Sequence, residues 1–238
     1  MGARDTPESS EFADREAVTE AARRVVGAGW WQRDADWLPP GFDTYLHLEQ
    51  AARMVRCYES RVVPELLQTA DYARALLTLA HPDDSETMRE RRVALRMRRA
   101  EILHRPDPTQ LWVIVDDSAL RRPIGGSAVW RAQLEHLSRA ARAANIAVQV
   151  LADPVGGPAL TEGSFSVLRF AEGDLPDLVY LQQLTRRVFL DASEDIEAYM
   201  SVADILSVHA TAPEHTPALI EAMHRSHPAT VDQPAARR

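Results

Sequence analysis

All 27 basic residues are arginine, and the 238-residue chain contains no lysine. That absence excludes an internal Schiff base, a pyridoxal-phosphate anchor and a P-loop lysine. Arginines crowd one segment, at Arg89, Arg91, Arg92, Arg96, Arg98 and Arg99. A planar fork suits carboxylate or phosphate, so one reading is an anion clamp. The other is a solvated helix whose arginines pair with Glu86, Glu90 and Glu101 at three- and four-residue spacing. The six arginines point in too many directions to share one site. The solvated helix is therefore preferred, with Arg96 and Arg99 as the inward exceptions. Asp116 and Asp117 end a β-type run, where a backbone holds carboxylates rigidly. Neighbours on a strand face opposite ways, so the two do not share a proton. One can cap the turn before Leu120, or pair with Arg121 or Arg122.

Other catalytic signatures are missing. The eight histidines give no metal constellation: His47, His104 and His136 stand alone, and His224 and His227 lie beside a polar tail. GGSAV (125–129) is not a nucleophile elbow, no GxGxxG follows a strand, and GGPALTEG (156–163) is a poor phosphate cradle. Cys57 is the single cysteine, which excludes an internal disulfide and a cysteine zinc cluster. The expectation is no cofactor and no metal. The remaining candidates are aromatic: Trp30, Trp31, Trp37, Tyr45, Tyr58, Tyr72, Trp130, Phe165 and Tyr180. Several can line one cavity, their polar tips met by Gln68, Thr69, Arg96, Gln133 or Gln182, although core packing accounts for them as well.

The elements that must position these residues follow from periodicity. Apolar spacing predicts a helix over 12–26, ended by Gly27 and Gly29, then a proline-punctuated crossing from Trp30 to Pro40. A helix is expected from Phe42 to Tyr58, a second opened by Pro64, and a third from about Asp83 to His104, capped by Asp83, Asp84 or Ser85. After RPDP the pattern becomes β-type: LWVIV (111–115), IAVQVL (146–151), FSVLRF (165–170), DLVYLQ (177–182) and RVFL (187–190). A helix is expected over 127–143, with turns at Gly125–Gly126 and at Pro154, Gly156, Gly157 and Pro158. Two more helices follow, over 194–209 and 217–225. The fold class is α+β, an N-terminal helical lobe packed on a small mixed β-sheet with flanking helices. The expected division is a flexible 1–11, a single ligand-binding domain over 12–226 (helical lobe 12–105, α/β part 106–226) and a flexible tail 227–238.

A formal charge of −8 opposes phosphate contact by the chain as a whole, so direct nucleic-acid binding is not expected. No run approaches 18 apolar residues and the start has no apolar h-region, so the expected location is cytoplasmic and no membrane contact is expected.

Ordered blocks carry a resemblance. CYESRVVPELLQTADYARA (57–75) is similar to the signature of the domain that follows an Xre-type helix-turn-helix in Streptomyces-like actinobacterial regulators. The matching residues are Tyr58, Glu59, Val63, Pro64, Leu66, Leu67, Gln68, Thr69, Tyr72, Ala73 and Arg74. GWWQR (29–33), YLHLEQAA (45–52), RVALRMRRAEIL (92–103), ALRRPIGG (119–126) and RAQLEHL (131–137) resemble the family too. The resemblance implies an effector-binding domain, and the short segment before Trp30 is read as lacking the helix-turn-helix. Departures from the family pattern fall at Glu65, Ala100, Asp117, Trp130, Ala152 and Gln182.

The expectation is a small-molecule-binding, sensor-type domain whose site draws on Tyr58, Gln68, Tyr72, Arg96, Arg99, Asp117, Trp130, Phe165, Tyr180 and Gln182. The alternative is a cofactor-independent enzyme of natural-product biosynthesis, a cyclase or isomerase on the same pocket. Expected partners are a small organic ligand or biosynthetic intermediate, a small partner protein, or a second copy in a homodimer.

Overall fold

The computed structural model describes residues 29–152, 163–171, 175–184 and 186–226, together with Glu20, Arg24 and Gly27. Most of the helix expected over 12–26, the termini 1–11 and 227–238, and the turn at Pro154, Gly156, Gly157 and Pro158 lie outside these residues.

Helix α1 (Phe42–Ala51) ends where Ala52 turns to an extended ψ of 129°. The chain then enters strand β1 (Met54–Glu59). This corrects the helix expected to run to Tyr58. No glycine or proline breaks the helical spacing there, so the break is tertiary: β1 pairs with a strand on each side, and two ladders outweigh local propensity. A one-turn 3-10 helix, Glu65–Leu67, follows Pro64. Helix α2 (Ala70–Ala80) starts where Thr69 Oγ1 accepts the Tyr72 N–H, and α3 (Glu86–Arg99) where Ser85 accepts the Met88 N–H. The expected start of a helix at Pro64 therefore moves to Ala70.

Strand β2 (Gln110–Asp116) passes into a four-residue helix α4 (Asp117–Leu120). Helix α5 (Gly126–Ala140) begins at Gly125, whose φ is +80° and where a Cβ would lie 2.8 Å from the Ala75 Cβ. Strands β3 (Ile146–Leu151), β4 (Phe165–Arg169), β5 (Leu178–Gln182) and β6 (Arg187–Leu190) fall at the expected runs. Helices α6 (Ser193–His209) and α7 (Thr216–Ser226) complete the described chain.

The six strands form one sheet in the order β3-β2-β1-β4-β5-β6. β1, β2 and β3 run parallel, while β4, β5 and β6 form an antiparallel meander joined to β1. The fold is α+β, with helices flanking a mixed sheet. Parallel strands need crossovers, and α2, α3 and α5 supply them. Strand order advances in one direction from β1 to β3, which sets successive crossovers on the same face. That face carries the larger core, with Leu48, Leu67, Tyr72, Val113, Trp130 and Leu134 among its buried residues. The opposite face packs under α6 through Tyr58, Ile114, Phe165, Val179, Ala203 and Leu206. Among the described residues no helix is long and apolar enough to cross a membrane.

Candidate functional site

The alternation of β1 sorts its side chains. Val55 and Cys57 enter the larger core with α1, whereas Tyr58 enters the core under α6. Glu59, last in β1, lies in register with Val55 and Cys57 and lines a cavity with them. The cavity encloses about 80 Å³ between β1, β4, β5, α1 and the 3-10 turn, and Tyr45, Glu49, Glu65, Arg99, Ser164, Ser166, Tyr180 and Gln182 also line it. At about 10–15 Å³ per water-sized probe, that holds a few small groups and not a whole drug-sized molecule.

One wall is a chain of buried charges. Arg99, 3% exposed, grips Glu49, 0% exposed, with Nε and Nη2 each donating to a carboxylate oxygen at 2.8 Å. Its Nη1 donates to Glu65. Arg96 Nη2 donates to the other Glu65 oxygen at 2.6 Å, and its Nη1 to Gln68 Oε1 at 2.9 Å. Tyr45 hydroxyl donates to Glu49 at 2.9 Å. Burial pushes Glu65 upward, but Arg96 and Arg99 hold its carboxyl down at about 2. Burial also pulls Arg99 down, and Glu49 and Glu65 outweigh it.

Aromatic rings adjoin this cluster, with Arg99 5.3 Å over the Tyr45 ring. Tyr45 and Tyr180 stack with ring centroids 4.0 Å apart, and Phe42 stacks behind Tyr45 at 5.8 Å. Tyr180 hydroxyl lies 3.4 Å from Gln182 Oε1, and burial pushes that phenol up to about 12. Burial pushes the Cys57 thiol well above its ordinary value, so it is inert at neutral pH. Glu59 differs from the other two glutamates. Among the described residues no cation pairs with it; its hydrogen-bond partner is Ser164, and burial pushes its carboxyl up to about 7.

The segment that presents Glu65 is fixed from behind. Val63 N–H donates to Tyr72 hydroxyl at 3.3 Å, and Gln68 Nε2 donates to Val63 O at 2.6 Å. Gln133, from α5, accepts the Thr69 N–H at 2.7 Å and donates to Leu67 O at 2.7 Å. Gln68 and Tyr72 thus hold the turn that carries the site. Arg99, Tyr180 and Gln182 line the cavity, and Arg96 adjoins it through Glu65. Phe165 borders the cavity while its ring packs against Tyr58 and Tyr199 on the other face. Trp130 is buried and donates to Leu120 O. Asp117 is paired with Arg121, and Asp116 caps α4 by accepting the Ser118 N–H. Tyr58, Trp130 and Asp117 therefore lie apart from the cavity.

The arginines of α3 find partners outside their own helix, which corrects the expected pairing with Glu86, Glu90 and Glu101. Arg91 reaches Asp34 and Asp36, Arg92 reaches Asp84, and Arg98 lies 4.5 Å over the Trp30 ring. Glu90 pairs instead with Arg74 of α2. Sequence reasoning missed Glu49 and Glu59 as site residues. Two signals were there: a lone carboxylate at i+4 from Tyr45 within an apolar stripe, and a glutamate closing what proves to be a central strand. Among the described residues no three His, Cys, Asp or Glu side chains come together as metal ligands.

Residues 42–222 match the model of a family described as a domain of unknown function, DUF5753. No curated protein and no solved structure matches the chain.

Proposed function

This chain belongs to the DUF5753 family, and we propose that it is a small-molecule-binding, sensor-type module whose ligand enters the cavity at the end of β1. The carrying observation is a preformed cavity lined by stacked aromatics, by ion-paired side chains and by a carboxyl, Glu59, that forms no ion pair among the described residues. Apolar walls with a few placed polar groups are how small-molecule sites are built. The resemblance over 57–75 to the domain following an Xre-type helix-turn-helix in actinobacterial regulators supports an effector-binding role in the cytoplasm. The charge of −8 supports a role that does not itself touch DNA.

A second reading, cofactor-free catalysis in the same cavity, is favoured by Glu59. A carboxyl that titrates near 7 can give or take a proton at neutral pH. A thermal-shift screen of a chemically diverse small-molecule panel, run on wild type and Tyr180→Ala, tests the first reading. Compounds that stabilise wild type are expected to lose roughly two- to tenfold in affinity in the variant, the worth of one aromatic contact. Equal binding by both proteins, or no stabilising compound, removes the cavity reading. Mass analysis of the bound compounds separates the two readings: recovery unchanged supports a sensor, conversion an enzyme.

A further inference from the structure

Resting on the cavity reading, we infer that the occupant presents a protonated nitrogen, an ammonium, amidinium or guanidinium group, to Glu59, with its apolar part against Tyr45 and Tyr180. Three guanidinium groups adjoin the cavity, and each has partners: Arg187, from β6, hydrogen-bonds Tyr180 and adds positive charge near Glu65. Arg99 spends Nε and Nη2 on Glu49 and Nη1 on Glu65, and Arg96 spends Nη2 on Glu65 and Nη1 on Gln68. Neither Arg96 nor Arg99 keeps a bidentate fork for an anion. Glu49 and Glu65 are likewise neutralised by those arginines and offer little to a ligand.

Glu59 is the exception. An ionised carboxylate can accept at about four lone-pair positions. Here the hydrogen bond comes from Ser164, whose hydroxyl also accepts the Ser60 N–H at 3.3 Å. The charged groups that face Glu59 are Glu65 from the 3-10 turn, Arg96 from α3 and Arg61 from the segment after β1. None of the three cations and anions forms an ion pair with it among the described residues. Ser164 leaves part of that capacity open toward the cavity, and a cationic ligand supplies charge as well as N–H groups to fill it. Desolvation and the Glu65 charge favour the protonated carboxyl, Arg61 and Arg96 oppose them, and an arriving cation shifts the balance toward the ionised form. The cavity volume of about 80 Å³ fits a cationic head group and leaves the remainder of a larger molecule at the mouth.

The test uses the full chain and a panel of matched probes: benzylamine and benzamidine as cations, benzyl alcohol and benzamide as neutral counterparts, and benzoate as the anion. Affinities are measured by titration calorimetry on wild type and Glu59→Gln, with melting curves to show that the variant is folded. The cations are expected to bind at least about tenfold more tightly than the neutral probes, and Glu59→Gln to erase that preference. For wild type, benzylamine affinity is expected to rise roughly tenfold between about pH 6 and pH 8 as Glu59 gives up its proton, a slope the variant lacks. If neutral probes or benzoate bind wild type at least as well as the amines, the cation assignment is overturned while the cavity reading stands. If no probe of any charge binds at millimolar concentration, both fall together.

Discussion

At Arg99 a single guanidinium answers two carboxylates, so losing it and losing the whole cluster have different consequences. Glu49 is completely buried and has Arg99 as its ion-pair partner. Arg99→Met is expected to cost about 3–5 kcal/mol in urea denaturation, since it strands a buried charge. Adding Glu49→Gln is expected to recover most of that loss, because a neutral amide no longer needs a cation. Glu59 and Glu65 act on stability in opposite directions. Glu65, held at about 2, contributes stability that is present above about pH 4.5 and lost as pH falls toward 2. Glu59 has a folded value of about 7, above the ordinary 4.5, so the native chain keeps its proton longer than the unfolded chain. Its contribution therefore declines as pH rises from about 4.5 to 7. Glu59→Gln is expected to raise stability at pH 8 by at most roughly 3 kcal/mol and to change little near pH 4, checked by melts across pH. Arg96 and Arg99 were legible as inward residues from helical spacing alone. Their carboxylate partners were not, because Glu49 and Glu65 come from segments 31 and more residues away and only packing brings them near.

At the level of elements, five strands and the later helices were legible because alternation and capping residues act locally. β1 was not, since MVRCYE continues the helical spacing of α1 and becomes a strand only through β2 and β4. The cavity depends on that strand, so the missed element and the missed residues have one cause. The turn from Val63 to Thr69 is likewise set from a distance, by Gln133 in α5. Gln133→Leu leaves the Leu67 carbonyl and the Thr69 N–H without their partner. It is expected to cost about 2–4 kcal/mol by denaturation, at roughly 1–3 kcal/mol per stranded group. It should also weaken ligand binding although Gln133 does not line the cavity. Unchanged affinity in a folded Gln133→Leu protein would show that the turn holds Glu65 unaided.

Across the whole molecule, the sheet divides its two faces unequally. α1, α2, α5 and α7 lie over one face, while α6 lies over the other and buries Ala203 and Leu206 there. Leu206, 1% exposed, is expected to cost about 2–5 kcal/mol on replacement by alanine, read as a shift in denaturation midpoint. The cavity sits at the junction between the parallel half, β1 to β3, and the antiparallel half, β4 to β6. Ser60 and Ser164, which meet there, are 104 residues apart in the chain. Closing so long a loop carries its entropic cost before the contacts form, which places that junction late on the route to the native state. An occupant of the cavity then stabilises contacts absent at the rate-limiting step. In stopped-flow measurements it should leave the refolding arm of the chevron in place and lower the unfolding arm, so that occupancy lengthens the lifetime of the folded chain without hastening its birth.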